Sequence, residues 1–226
     1  MSLRKLEFVK GFTKHAPGSV LVKWGETWVL VTVTVTDKLP PFLRDTGRGW
    51  LTAEYSMLPG STLERKEREI KKLKPDARGS EISRLIGRAL RAALDFTKMP
   101  ELQFNVDCDV LQADGGTRCA SITGGMVALR LAVDKLLAAG TLKEDPIVRR
   151  VAAVSVGICD GVPTLDLDYA HDSTAEVDMN FIMTDSLNYV EIQGTGEHGT
   201  FGDEEFDALR TLAREGITQI FKIMEG

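Results

Sequence analysis

The chain has 226 residues, 43% of them hydrophobic and 27% charged, enough for one sizeable core but short for two full domains. No stretch of 18 apolar residues occurs, which excludes a membrane-spanning helix, and a net charge of −5 argues against a protein that coats nucleic acid along its whole surface. Three cysteines, Cys108, Cys119 and Cys159, form no CxxC pair, so the expectation is a reduced, cytoplasmic protein without disulfides or a zinc site.

The chain opens with MSLRKLEFVKGF, which has no apolar run of the signal-peptide kind. Residues 20–36, VLVKWGETWVLVTVTVT, are rich in β-branched side chains and predict two strands around a Gly-Glu turn. A basic window follows. Between Arg65 and Arg91 lie ten basic residues, including Lys66, Lys71, Lys72, Lys74 and Arg78, against four acids, Glu67, Glu69, Asp76 and Glu81. The window therefore carries +6, and the rest of a −5 chain must carry −11. Such polarity suits contact with a polyanion, and equally suits a solvated charged loop leading into a helix.

Within 79–96, Ile82, Leu85, Ile86, Ala89, Leu90, Ala93 and Leu94 recur at helical spacing, and Arg84, Arg88 and Arg91 share another face. Leu102, Phe104, Val106, Cys108 and Val110 then alternate with polar residues, as in a half-buried strand. A second amphipathic helix is expected over about 120–139. Strand-like runs recur at 150–159, 163–169, 176–185 and 188–193, and a last helix at 203–223. Strands and helices intermix without strict βαβ alternation, so the expectation is one mixed α/β domain, of the α+β kind, over residues 1–226.

Three stretches invite chemistry. Gly115-Gly116-Thr117-Arg118 joins the alternating strand to the second helix. Glycines let an anion approach backbone amides, a helix N-terminus offers unpaired N–H groups, and Thr117 and Arg118 add a hydroxyl and a planar fork. A phosphate site and a plain helix start are both open readings here. It is not a Walker loop, because GxxxxGK[ST] is absent. Gly194 to Gly199 satisfies GxGxxG, but the next helix starts too late and no following strand exists, so a loop is the better reading.

DLDYAHDSTAEVDMN at 166–180 packs five carboxylates, Asp166, Asp168, Asp172, Glu176 and Asp178, into thirteen residues. Asp166 is expected on an outward strand face and Glu176 exposed. Asp172 and Asp178 are the candidates for hard-oxygen coordination of magnesium. His171, beside a turn, is read as incidental.

Taken together, these motifs resemble the ribonuclease PH family, bacterial phosphate-dependent exoribonucleases that trim tRNA 3′ ends. The matching runs are GFTKHAPGSVLV (11–22), GWLTAEYSMLP (49–59), SEISRLIGRALRA (80–92), DCDVLQADGGTR (107–118), ASITGG (120–125), AAVSVGI (152–158), DLDYAHDSTAEVDMN with FIMT (166–184) and EIQGTGE (191–197). The resemblance implies a ribosomal-protein-S5-domain-2-like fold, the ribonuclease PH fold, assembled as a homohexamer built from three dimers. It implies removal of 3′-terminal nucleotides from tRNA precursors and other RNA by inorganic phosphate, releasing nucleoside diphosphates.

By the same resemblance, Gly116, Thr117 and Arg118 form a phosphate-binding loop completed by Arg78. Asp172 and Asp178 are associated with Mg2+ and catalysis, alongside Arg78 and Arg118. Arg65, Arg68, Arg84, Arg88 and Arg91 fall in segments that contact RNA. The family's opening Arg-Pro-Asp-Gly-Arg segment is absent, Gly60 stands where arginine is frequent, and His171 stands where glutamate is common. The alternatives are a catalytic subunit of an archaeal-type exosome ring, a non-catalytic RNA-binding ring subunit, and a nucleotide-binding oxidoreductase using Gly194–Gly199.

Overall fold

A computed structural model of the chain describes residues 2–68, 71 and 76–226; Glu69, Lys72 and Lys74 of the basic window lie outside the described residues. The strands fall into two sheets. The first comprises β1 (Leu6–Lys10), β2 (Gly18–Trp24), β3 (Thr27–Thr36), β4 (Trp50–Met57) and β5 (Gln103–Gln112), in the order β1-β2-β3-β5-β4. The second comprises β6 (Val151–Cys159), β7 (Val162–Leu165), β8 (Val177–Thr184) and β9 (Tyr189–Gly196), in the order β7-β6-β8-β9. Four α-helices accompany them among the described residues: α1 (Ala77–Arg91), α2 (Thr117–Ala138), α3 (Tyr169–Asp172) and α4 (Asp203–Glu225).

Local chemistry accounts for the elements. β2 and β3 form the expected hairpin, with Trp24 opposite Thr27 and Gly25 turning at φ 55°. β4 and β5 are parallel, so the chain cannot return by a tight turn, and α1 lies in the connection between them. The Asp76 carboxylate accepts the Arg78 N–H at the start of α1, and Arg88 and Arg91 sit in its last turn, where cations offset the helix dipole. β1 and β4 were not distinguished in the sequence, although Leu51, Ala53 and Tyr55 alternate inward on β4.

α2 departs from the amphipathic helix expected. Its residues from Cys119 to Leu129 are all buried, because the helix is sandwiched between β2 and β3 of one sheet and β6 of the other. A helix with protein on both sides needs small or apolar residues all round. Gly124 shows why: a Cβ there would collide with Val22 Cγ2, so glycine lets helix and sheet approach closely. α4 covers the far face of the second sheet, against β6 and β7, through Leu209, Ala213, Ile217, Ile220 and Phe221. One hydrophobic cluster runs through both sheets and α2. Side chains such as Phe104 and Phe181, fully buried there, each contribute about 1.5–3 kcal/mol.

The strand expected at 163–169 ends at Leu165. Asp166 takes φ 59°, which breaks the strand and turns the chain into the single turn of α3. The ends of β5 and β7 thus both lead into helix N-termini, and those two junctions frame the cleft described next.

Candidate active site

A cleft of about 980 Å³ opens where the two sheets meet. Its floor is the junction of β5 and α2. Gly115 and Gly116 are both left-handed, at φ 72° and 66°, conformations that cost glycine little and other residues more. A Cβ on Gly115 would also meet the backbone of Leu167 and Asp168, in the segment between β7 and α3. The loop is fastened by Thr27, whose hydroxyl donates to the Gly115 carbonyl at 2.6 Å and accepts from the Asp114 N–H at 2.9 Å. Gly116 is the N-cap of α2 and supplies no side-chain cap. The first N–H groups of a 22-residue helix therefore face the cleft without a capping side chain, at the positive end of its dipole.

Thr117 and Arg118 stand at this N-terminus and line the cleft. The Thr117 hydroxyl lies 2.8 Å from the hydroxyl of Tyr55, which β4 holds in the core. Burial pushes the Tyr55 phenol up, the Thr117 hydrogen bond working against it, so it remains a protonated donor at neutral pH. When Tyr55 donates, the proton of Thr117 is free to point into the cleft. Tyr55→Phe removes that constraint. For the phosphate site and RNA substrate that the family resemblance implies, the expected result is a rise in the KM for phosphate of about fivefold, the equivalent of one hydrogen bond of ~1 kcal/mol, with RNA affinity unchanged. An unchanged phosphate KM would show that Tyr55 only packs.

Arg118 reaches Glu81 of α1 at 3.6 Å and Gln193 of β9 at 3.4 Å, long contacts that an incoming anion can displace. Arg78, exposed in the first turn of α1, lines the same cleft. Against this positive set stand Asp172, the last residue of α3, and Asp178 on β8, both half-buried. Burial pushes both carboxyls up from the usual carboxylate range. The Asp172 charge raises Asp178 further, while Arg78 and Arg118 pull both back. The structure therefore brings Arg78, Gly116, Thr117, Arg118, Asp172 and Asp178 together around one cleft, drawn from four separate stretches of chain.

The arginines at 65–91 divide. Arg65 and Arg68 are exposed, on the segment that follows β4 toward the cleft rim. Arg84, Arg88 and Arg91 line a separate shallow groove of about 190 Å³ beside Thr52 and Ala53 of β4. Arg88 is held by a two-pronged contact to Glu191, at 2.9 and 2.6 Å. Arg91 donates to the Leu51 carbonyl at 3.2 Å and stacks over the Trp50 ring.

Two expectations about the acidic stretch are corrected. Asp166 is not outward: it is 2% exposed and accepts from the Arg4 N–H and guanidinium, both at 2.7 Å, and from the Trp24 indole at 2.8 Å. Glu176 is half-buried and accepts from the Gly161 N–H at 3.3 Å. Asp168 caps α3 and holds the Nδ1 of His171 at 2.6 Å; His171 does not line the cleft. Gly194 and Gly196 belong to β9, and α4 begins only at Asp203, so the GxGxxG pattern has no helix N-terminus beside it. Asn180 and Glu197 of the cleft, Tyr55 behind Thr117, and Arg4 beneath the loop were not singled out from the sequence. Only the alternation around Tyr55 hinted at its inward side.

Two carboxylates in one cleft are a donor set that suits magnesium, which takes one or two protein oxygens and completes its shell with water and phosphate. Among the described residues, no group of three or more His, Cys, Asp or Glu side chains could hold a metal by itself.

Comparison with known proteins identifies the family. Residues 2–133 match the model of domain 1 of the 3′ exoribonuclease family RNase PH, and residues 149–216 match its domain 2. The chain is 53% identical over 218 residues to ribonuclease PH of Roseobacter denitrificans, covering 96% of this chain and 92% of that protein. It is also similar in fold to the archaeal exosome of Archaeoglobus fulgidus with RNA bound to the active site, with a TM-score of 0.80 at 21% identity over 98% of this chain and 88% of that one. Rice Rrp46 matches with a TM-score of 0.79 at 17% identity, over 99% and 94% of the two chains.

Proposed function

This chain belongs to the 3′ exoribonuclease family whose two RNase PH models it matches, and from that premise we infer that it is a phosphorolytic 3′-to-5′ exoribonuclease, a phosphate-dependent nucleotidyltransferase. The observation that carries the reading at the level of residues is the opposition, across one cleft, of a positive anion cradle and two carboxylates pushed up by burial.

Phosphorolysis asks for no nucleophilic side chain, since inorganic phosphate is the nucleophile. Its oxygen attacks the phosphorus of the 3′-terminal phosphodiester. A new P–O bond forms, the bond to the 3′-oxygen of the penultimate nucleotide breaks, and the proton given up by the phosphate ends on that oxygen. The products are a nucleoside diphosphate and an RNA one nucleotide shorter; extension is the reverse. The difficulty is electrostatic, because a dianion must be pressed against a polyanion. The α2 N-terminus, Thr117, Arg118 and Arg78 are suited to neutralising the phosphate and aligning its oxygen. The paired glycines let the backbone amides come close to it.

Asp172 and Asp178 would hold a magnesium ion. When bound, it supplies Lewis-acid stabilisation of charge on the phosphodiester oxygens. Without a cation the two carboxylates repel the substrate; burial is the main cause that raises both, and the Asp172 charge raises Asp178 further. On the same reading, Arg65, Arg68, Arg84, Arg88 and Arg91 carry RNA contacts to the phosphodiester backbone, without reading base sequence. The natural substrate would be the 3′ end of tRNA precursors, and the working unit a cytoplasmic homohexamer built as a trimer of dimers.

The test is to incubate the protein with a 3′-extended tRNA, with and without inorganic phosphate. Nucleoside diphosphates released only in the presence of phosphate are the expected result. Release of monophosphates at equal rate in both samples would mean hydrolysis and would overturn the reading.

A further inference from the structure

Beneath the anion cradle, and outside the cleft lining, lies a group that the reaction above leaves unused: the guanidinium of Arg4, mostly buried. Its Nη1 donates to the Asp114 carbonyl at 2.6 Å, and its Nη2 donates to the Asp166 carboxylate at 2.7 Å. Its backbone N–H donates to the second oxygen of Asp166, which also takes the Trp24 indole N–H. These contacts join three distant parts of the chain: the N-terminal segment, the end of β5 and the residue that follows β7.

Both ends of this tie matter for the cleft. Asp114 immediately precedes Gly115 and Gly116, so its carbonyl sets the level of the loop. A Cβ placed on Gly116 would lie 3.0 Å from Nη2, so the guanidinium sits directly beneath the loop. Asp166 is followed by Asp168, whose carboxylate caps the turn that ends in Asp172. The Asp114 carboxylate closes the circuit by accepting the Tyr169 N–H of that turn at 3.3 Å. Arg4 thus spans the two walls, one carrying the cradle and the other carrying the acid.

We propose that Arg4, anchored by the buried Asp166, is a positioning residue that sets the separation between the phosphate cradle and the Asp172 turn. The proposal rests on the reading of the cradle given above. Arg4 does not touch the substrate; it acts through Asp114 and Asp166. Its planar fork is the feature that matters, because one nitrogen serves each wall, whereas the single ammonium of lysine cannot hold both in the same geometry. The Asp114 carboxylate at 3.9 Å and the Asp166 carboxylate at 2.7 Å both face the Arg4 guanidinium. Trp24 fixes the carboxylate that Arg4 grips and Thr27 still holds the loop, so loss of the guanidinium removes the link between the loop and Asp166 without freeing either end.

The test compares wild type, Arg4→Lys and Arg4→Ala in steady-state phosphorolysis, varying phosphate and RNA separately, with thermal melting of each protein. A misplaced cradle raises the phosphate KM by about tenfold to a hundredfold in the alanine variant, with the RNA KM within twofold of wild type. Lysine restores charge but not the fork, so its phosphate KM is expected to stay clearly elevated while its melting temperature recovers. If the alanine variant does not fold, the lysine variant decides the matter alone. A wild-type phosphate KM in Arg4→Lys, or a melting change with no shift in phosphate KM, would overturn the positioning role and leave the cradle assignment standing. A wild-type enzyme whose rate is indifferent to phosphate would overturn both.

Discussion

Asp178→Asn is expected to abolish phosphorolysis while making the protein more stable at neutral pH. On the proposed metal role, loss of this carboxylate removes several kcal/mol of charge stabilisation; ~4 kcal/mol corresponds to about a thousandfold in rate. The stability gain follows from the direction in which burial pushes this carboxyl. Its pKa in the folded protein lies above the usual 3.8, so folding favours its protonated form. The stability it contributes is fully present below 3.8 and is lost as pH rises through the raised value. At neutral pH the wild type therefore carries an ionised, half-buried carboxylate beside Asp172, and asparagine relieves it. The advantage of the variant should shrink as pH falls toward 3.8, measured by thermal melting across pH in the absence of divalent ions. A variant that is inactive and less stable at every pH would mean that Asp178 is structural. RNA binding, followed by gel shift, should be nearly unchanged.

Arg118→Ala is the complementary result, acting on the other side of the cleft. Removing one preorganised donor typically costs ~3 kcal/mol, or about a hundredfold in rate. The loss should be concentrated in the response to phosphate: saturation moves to much higher phosphate concentration and turnover slows. Stability should barely move, because the contacts of Arg118 to Glu81 and Gln193 are long and partly exposed, and such pairs contribute about 0–1 kcal/mol. Unchanged phosphate kinetics would remove Arg118 from the cradle. A large fall in melting temperature would show instead that the contacts to Glu81 and Gln193 hold the sheets together.

Much of this molecule is legible in its sequence, for identifiable reasons. The β2–β3 hairpin declares itself through β-branched residues flanking a short turn, and α1 through its apolar stripe and opposite arginines. The glycine pair could be read as a turn of special backbone because glycine is the residue that takes positive φ at little cost. Its neighbours across the cleft could not be found from spacing. Arg78 lies 38 residues before Gly116 and Asp178 lies 62 after it, so physical periodicity alone left phosphate site and helix start equally open. The family resemblance bridged that distance.

What stayed hidden depends on long-range packing. Asp166 sits in a run of carboxylates whose composition suggests an exposed acidic face, yet Arg4, 162 residues away, and Trp24 make it a buried anchor. A carboxylate with three such donors can be buried because its charge is compensated, and nothing within ten residues of it signals those donors. α2 was read as amphipathic because its last turns are; the second sheet that covers its outer face follows it in sequence. Tyr55 showed its inward side through alternation, but the hydroxyl of Thr117 that it meets lies on another element.

The central claim is that the anion held at Gly115–Arg118 is the attacking phosphate. The most direct measurement follows isotopically labelled inorganic phosphate through a single round of trimming on a 3′-extended RNA. The label is expected in the β-phosphate of the released nucleoside diphosphate, with transfer falling about a hundredfold in Arg118→Ala. Label remaining wholly in inorganic phosphate while unlabelled nucleotides are released would contradict it.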